Sequence, residues 1–489
     1  MAESRVLTLA HRNAADNTEL TAVSTTSLAI SLASKVFMVP ATTKAYVGAR
    51  VRATRDSDDE QWMEGEVTAW MPSTGSLTVL MDLVSGSSTG ADWTLRIDKW
   101  VGGDWESALP ITNLEDERLW KVARSTDGDP SNTRFRVDLT QSSTLQLMML
   151  LGSNLEPEAR WRLRLFNIDP TTGAISIVYD TGKIDVWSPT VQWGQLPWGQ
   201  FPYDGRVVPE DGRMLPPLHF TREMAELESN SSHSVTLGTK TFVTNGNTED
   251  FALNQPVSIV RSSAPFTGLL GRIQALTANT IEVFVTDVEL PAATSGGGGG
   301  GYLGSAYFGS GYFGGYFGGG GGGVDDGPFT DWVIRGLVSG GERVTYEARF
   351  AQLDLYDASN ADGYIEAGRV FLGPVYEPTI NMDEGFSLGW VDPSTRERSR
   401  GGQLWVDQRR KYRRMRFNLG FLERDEMLAN PFELDRALGL SRTLIAMLDP
   451  GDAVNGERLT IYGNLAELTD VQHVRDDIYA KPFILEEQS

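Results

Sequence analysis

Four histidines, His11, His219, His233 and His473, are spread along the chain with no H-x-x-H or H-E-x-x-H spacing, so they read as surface or loop residues and not as metal ligands. No G-x-S-x-G elbow, Walker loop or strand-linked G-x-G-x-x-G occurs, and with no cysteine there is neither thiolate chemistry nor a disulfide framework. Carboxylates are plentiful. Two of them flanking a sugar bond need a cleft and stacking aromatics, and Trp187, Trp193 and Trp198 near Asp185 and Asp204 are the best candidates. Tryptophans that fill seams between domains are the commoner use of such a set. The acidic runs Asp56 to Glu60 and Asp325 to Asp326 lack the D-x-D-x-D-G order of a calcium loop and read as solvated turns. No catalytic residue, cofactor or metal is expected from this inventory.

Two stretches carry recognition chemistry instead. Ser295 to Gly327 reads SGGGGGGYLGSAYFGSGYFGGYFGGGGGGVDDG, with Tyr302, Tyr307, Phe308, Tyr312, Phe313, Tyr316 and Phe317 between two poly-glycine runs. Aromatic rings offer much contact area for little lost rotamer freedom, as in adaptable binding loops. This segment is expected to be looped out, meeting a glycan, a partner or a neighbouring copy, or lying back on its own domain. The second stretch, RERSRGGQLWVDQRRKYRRMR, gathers Arg396, Arg398, Arg400, Arg409, Arg410, Arg413 and Arg414 in a chain whose net charge is −22. Its expected partner is the acidic surface of a neighbouring subunit. The overall charge argues against nucleic acid.

The elements that must position these stretches are strands. The chain's 489 residues, 40% hydrophobic and 22% charged, suffice for several packed domains. No apolar run approaches a membrane span, and the first residues lack a signal-peptide pattern, so neither membrane insertion nor conventional secretion is expected. Period-2 alternation, as in GEVTAW and SLTVLMDL, predicts short antiparallel strands. KVFMV, ARVRATR, MEGEVTAW and SLTVLMD recur as TFVTN, PVSIVRS, LLGRIQAL and TIEVFVTD, aligning Phe37, Val51, Gly65, Val67, Leu77 and Val79 with Phe242, Val257, Gly271, Ile273, Ile281 and Val283. Two copies of a β module, roughly 70 residues each, are predicted.

The predicted fold is mainly β: a jelly-roll sandwich formed by 1–20, 98–230 and 328–377, interrupted by small barrel or sandwich modules at 21–97 and 231–294, with the glycine-aromatic loop at 295–327 and a C-terminal α+β unit at 378–489. Loop tips accept such insertions at low entropic cost. In the last unit, Phe421, Met427, Leu428, Phe432, Leu434 and Leu438 are expected on one helical face, with Pro431 dividing two helices.

The set SALPITNLEDERLWKVARS, TRFRVDLTQSSTLQLMMLLGSN, EARWRLRLFN and YEARFAQLDLYDASNADGYIEAGRVFLGP resembles a galactose-binding-like, discoidin-type jelly roll. The arrangement with VRATRDSDDEQWMEGEVTAWMPSTGSLTVLMDLVSGSSTGADWTL and the glycine-aromatic stretch is similar to structural proteins of the tail tip, baseplate and fibres of tailed bacteriophages. That resemblance implies a non-enzymatic virion protein made in the host cytoplasm. It implies partners among other tail proteins and copies of itself, in a ring or trimer, and contact with host surface polysaccharide. A polysaccharide-degrading enzyme with carbohydrate-binding modules is the alternative.

Overall fold

The computed structural model describes residues 7–156, 158–186, 218–219, 222–246, 248–289, 328–339, 344–400, 402–449 and 458–488. The protein is mainly β and antiparallel throughout its named sheets.

At the centre, Trp100–Val101, Phe135–Leu145, Tyr346–Tyr356, Arg160–Ile168 and Ile175–Asp180 pair in that order, with Ile184–Asp185 beside Arg160–Ile168. A second, three-stranded sheet orders Leu218–His219, Leu147–Leu151 and Arg369–Gly373. RWRLRLFNI shows how the sequence builds this sandwich. Trp161, Leu163 and Leu165 turn inward against Val137, Leu353, Leu150 and Val370, whereas Arg160, Arg162, Arg164 and Phe166 alternate to the other side. LMMLL has no alternation because both of its faces are buried. Met148 and Leu150 belong to the sandwich core, while Leu147, Met149 and Leu151 pack on Ile445, Met447 and Tyr462 of the C-terminal unit.

That unit is a sheet ordered Thr8–Ala10, Thr443–Met447, Thr460–Leu465, Ile478–Glu487, Tyr412–Glu423, Ser387–Val391. Its first strand corrects the expectation that residues 1–20 belong to the sandwich: Thr8 to Ala10 pair with Met447 to Ile445. Three apolar-to-small residues carry no sign of a partner so distant in sequence. The helical stretch also differs from expectation. Phe421 lies in a strand, and Met427, Leu434 and Leu438 are buried while Leu428 and Phe432 are exposed, since adjacent helical positions sit about 100° apart. Pro431 lies inside a wide π-helical turn, Leu428–Phe432, that joins the flanking helical turns and does not divide them.

The two modules have the same topology. The first orders Leu20–Ser24, Trp93–Ile97, Arg50–Arg55, Asp58–Met71, Ser76–Ser85, Ser34–Met38. The second orders Arg222–Ser229, Trp332–Ser339, Pro256–Arg261, Ala264–Thr277, Thr280–Glu289, Gly238–Val243, and a bridge between Ser229 and Thr244 joins its first and last members. Val51 pairs with Gly65 as Val257 pairs with Gly271, and register shifts fall at the same three places in each copy. Equivalent residues pin the same corner. Arg55 donates to Asp92 Oδ1 at 2.6 Å and Ser57 N to Oδ2 at 3.0 Å; Arg261 donates to Asp331 Oδ1 at 2.9 Å and Ser263 N to Oδ2 at 3.2 Å. Phe37 meets Trp93 edge-on at 6.2 Å, and Phe242 meets Trp332 at 6.1 Å.

The second module therefore spans 222–339, including Trp332–Ser339, which the sequence pattern assigns to the sandwich. In the first module the equivalent strand follows after a short link; in the second, the glycine-aromatic segment intervenes and hides the match.

Both modules sit on the outward side of the six-stranded sheet, by different means. The first shares an apolar core with it: Phe166 stacks on Phe350 at 5.5 Å and Tyr46 meets Phe350 at 4.9 Å. The second adds charge to a smaller apolar contact, in which Leu337 and Met224 pack against the sandwich core. Arg162 donates to Asp180 at 2.8 and 2.6 Å and to Ser258 Oγ at 2.5 Å, and Lys183 pairs with Asp287 at 2.8 Å. Asp354, fully buried, accepts from Arg164 Nη2 at 2.6 Å and forms an ion pair with Arg134, whose Nε lies 2.6 Å from its Oδ1. Burial works to raise the pKa values of Asp180 and Asp354, but the surrounding arginines outweigh it and hold both below the usual carboxylate range.

Replacing Asp354 by Asn leaves the buried Arg164 and the half-buried Arg134 without their counter-charge, and urea unfolding is expected to report a loss of about 3–5 kcal/mol; a loss under about 1 kcal/mol would contradict this account of the sheet face. A methyl group on Gly271 would lie 2.4 Å from Phe284 O, and one on Gly65 2.1 Å from Leu80 O. Gly65→Ala and Gly271→Ala should each lower stability by on the order of 2 kcal/mol, checked by thermal melting of the two variants.

Candidate binding surfaces

The seven aromatics Tyr302, Tyr307, Phe308, Tyr312, Phe313, Tyr316 and Phe317 lie outside the described residues. What the structure places is the base of their segment. Glu289 pairs with Gly268, and Trp332 pairs with Arg261, so the strands on either side end at the rim that also carries the Arg261 to Ala264 turn. The same rim of the first module carries the acidic run Asp56 to Glu60. There Asp56 accepts from Thr94 Oγ1 at 2.6 Å, and Asp58 accepts from Glu60 N and Gln61 Nε2, so these carboxylates brace their own turn.

The arginine run divides into two groups. Arg413 donates to Glu487 and Arg414 to Glu486, each through Nε at 2.9 Å, within the C-terminal sheet. Arg396, Arg398, Arg400, Arg409 and Arg410 belong to the hairpin formed by Thr395–Arg398 and Leu404–Asp407, in which every strand residue is exposed. Arg409 meets Asp407 at 3.2 Å on this open surface. Trp405 is 63% exposed and Trp390, on the adjoining edge strand, 67%. A two-stranded ribbon of this kind has little stability alone, and among the described residues it pairs with no other sheet.

Asp185 accepts from Arg160 at 3.0 Å and lies 3.7 Å from Arg272, within the seam between sandwich and second module. Trp187, Trp193, Trp198 and Asp204 lie outside the described residues. His233 Nε2 is 2.8 Å from Thr241 O and its ring packs on Phe242, and His473 packs on Tyr479. Among the described residues no group of three His, Asp or Glu is placed to hold a metal ion, and no helix is long and apolar enough to cross a membrane.

A cavity of about 230 Å³ lies where the segment 11–17, the sandwich strand Arg369–Gly373 and the C-terminal unit meet. His11, Arg12, Arg369, Arg442, Glu117 and Tyr462 are on its wall. Arg369 is buried, donating from Nη1 to Glu115 O at 2.8 Å and from Nη2 to Asp16 at 2.6 Å, and its Nε has no partner. Glu117 is engaged too: its Oε2 accepts from Thr443 N at 3.3 Å and its carbonyl from Tyr462 OH at 3.0 Å. Burial first, and the Arg12 charge second, push the His11 pKa down to about 4, so the ring is neutral near pH 7, and its buried Nε2 has no partner. Sequence spacing offers no signal for this cluster, whose members come from four distant segments.

A second titratable group lies where the first module meets the sandwich. Arg50 bridges Glu64 at 2.9 Å and Asp82 at 2.5 Å. Beside it, burial pushes Glu66 up to about 7 against the pull of Arg50, and burial with the nearby Glu64 charge pushes Asp98 up to about 6. A carboxyl whose pKa is higher folded than unfolded holds its proton better in the native state, so stability falls as pH rises through that interval. From about pH 5 to about pH 8, wild-type protein should lose more thermal stability than Glu66→Gln, with the variant the more stable at the upper end; equal slopes in the two melting series would contradict this.

A scan against protein-family models gives no match for this chain, and a search of curated proteins gives no similar sequence.

Proposed function

We propose that the chain is a structural protein of a tailed-bacteriophage virion, at the tail tip or baseplate, working without catalysis and assembled with copies of itself and other tail proteins. The observation that carries this reading is the duplicated module. Two copies of one fold, with matching strand order, bulges and corner ion pairs, are mounted on a common sandwich, and one of them carries the glycine-aromatic insertion at its rim. Repeated display units on a rigid mount suit weak contacts that gain strength from copy number, as at a host surface rich in polysaccharide. The basic hairpin with Trp405 and Trp390 serves the subunit contacts: its cations complement an acidic neighbour, and its apolar residues gain burial on docking.

The test is to image tailed particles by cryo-electron microscopy and to fit this fold into tail-tip density. Absence of the protein from purified particles by mass spectrometry would overturn the reading. Release of reducing ends from host capsule by the purified chain would favour a polysaccharide-cleaving enzyme instead. Deleting Gly296 to Gly323 is expected to leave soluble, folded protein with near-normal melting while reducing attachment of particles to cells; an insoluble product would show that the segment belongs to a core.

A further inference from the structure

The cavity between the sandwich and the C-terminal unit has a use that virion architecture does not require. Arg12 and Arg442 lie on its wall, both exposed, and neither makes an ion pair or side-chain hydrogen bond among the described residues. Behind them the Nε of buried Arg369 and the Nε2 of His11 are without partners. Of the acids nearby, Asp16 is committed to Arg369, Glu117 accepts from the Thr443 backbone, and Glu433, which feels the Arg12 charge, is paired with Arg436. Like charges held on one small wall repel unless an anion lies between them, and the planar guanidinium fork matches carboxylate and phosphate oxygens. Neutral His11 has Nε2 free to donate in the tautomer that carries its proton there.

We propose that this cavity is an oxyanion site, taking one phosphate or one carboxylate group between Arg12, Arg442 and Arg369. Its volume, about 230 Å³, is below the roughly 300–1,000 Å³ of pockets that take whole metabolites, so the occupant is a single small group. Two sources of that chemistry exist: a free ion such as inorganic phosphate, or a Glu or Asp side chain presented by a neighbouring copy. In either case the anion joins residues from the chain's first segment, its sandwich and its C-terminal unit, and so braces the junction.

The experiment titrates the full-length protein with inorganic phosphate and, separately, with acetate, at an ionic strength fixed with sodium chloride, following heat by calorimetry and melting temperature in parallel. Saturable phosphate binding with a raised melting temperature is expected. It should weaken by about ten-fold in Arg12→Ala and again in Arg442→Ala, since each removes a charged hydrogen-bond donor. Both residues are exposed, so the variants should fold, which circular dichroism checks; Arg442→Gln provides a milder second variant. Arg396→Ala, in the distant hairpin, should leave the affinity unchanged. Phosphate binding without any change in sedimentation identifies a free ion as occupant. Acetate binding, together with self-association that phosphate competes away and that Arg12→Ala weakens, identifies a neighbour's carboxylate. No saturable binding of either probe, or equal binding by wild type and the Arg12→Ala/Arg442→Ala protein, overturns the proposal.

Discussion

The buried charges on the outward face of the six-stranded sheet are the constraint on which the other parts depend. Arg162 and Arg164 have no exposed side-chain surface, so each must find a carboxylate before the second module can close over them. Asp180 and Asp354 come from different strands of the same sheet, and Ser258 comes from the module itself. Sheet register, module docking and charge neutrality are thereby one condition. A buried ion pair adds little net stability over an apolar pair of the same shape, but breaking it is severe, so such a network favours one arrangement of parts over others. The first module rests mainly on an apolar seat, Phe166 and Phe350, with Arg349, paired to buried Asp138, donating to its Lys44 carbonyl at 2.8 Å.

Within that frame the modules act as internal controls on each other. Features present in both copies, such as the Arg55–Asp92 and Arg261–Asp331 corners and the glycines opposite Val51 and Val257, are demanded by the fold. Features found in one copy only are free of that demand. The acids at the rim of the first module have no counterpart in SSAPFT of the second, and the glycine-aromatic segment replaces a short link. Specialisation has been confined to one rim, where loops can vary without disturbing a strand.

Much of this was legible from periodicity. Alternation identified the strands, and the matched hydrophobic positions Phe37 and Phe242, or Val79 and Val283, gave the duplication, because a small barrel fixes which residues fill it. The pattern failed where burial has two sides. In RWRLRLF alternation gives the strand but not the fate of its polar face: Arg162 and Arg164 are buried, Arg162 against Ser258 of an inserted module that the local sequence does not announce. Separation along the chain hides the partners of Thr8–Ala10 and Trp332–Ser339, and helical spacing does not show that Phe421, Leu428 and Phe432 remain exposed. The oxyanion cavity had no sequence signal at all, since folding alone brings His11, Arg369 and Arg442 together.

The pairing of Thr8–Ala10 with Thr443–Met447 has a consequence for synthesis. On the ribosome Thr8–Ala10 emerges long before Thr443–Met447, with both modules and the sandwich strands made in between. The first module, whose strands all pair within residues 20–97, can fold in the meantime, leaving Thr8–Ala10 as a strand still without its sheet. Closure of the C-terminal sheet is thus a late, long-range step, of the kind whose loop entropy slows folding. Completion of the sheet ties the first residues to the last unit, so a truncated chain lacking residues 443–447 leaves that edge open as a mark of unfinished synthesis.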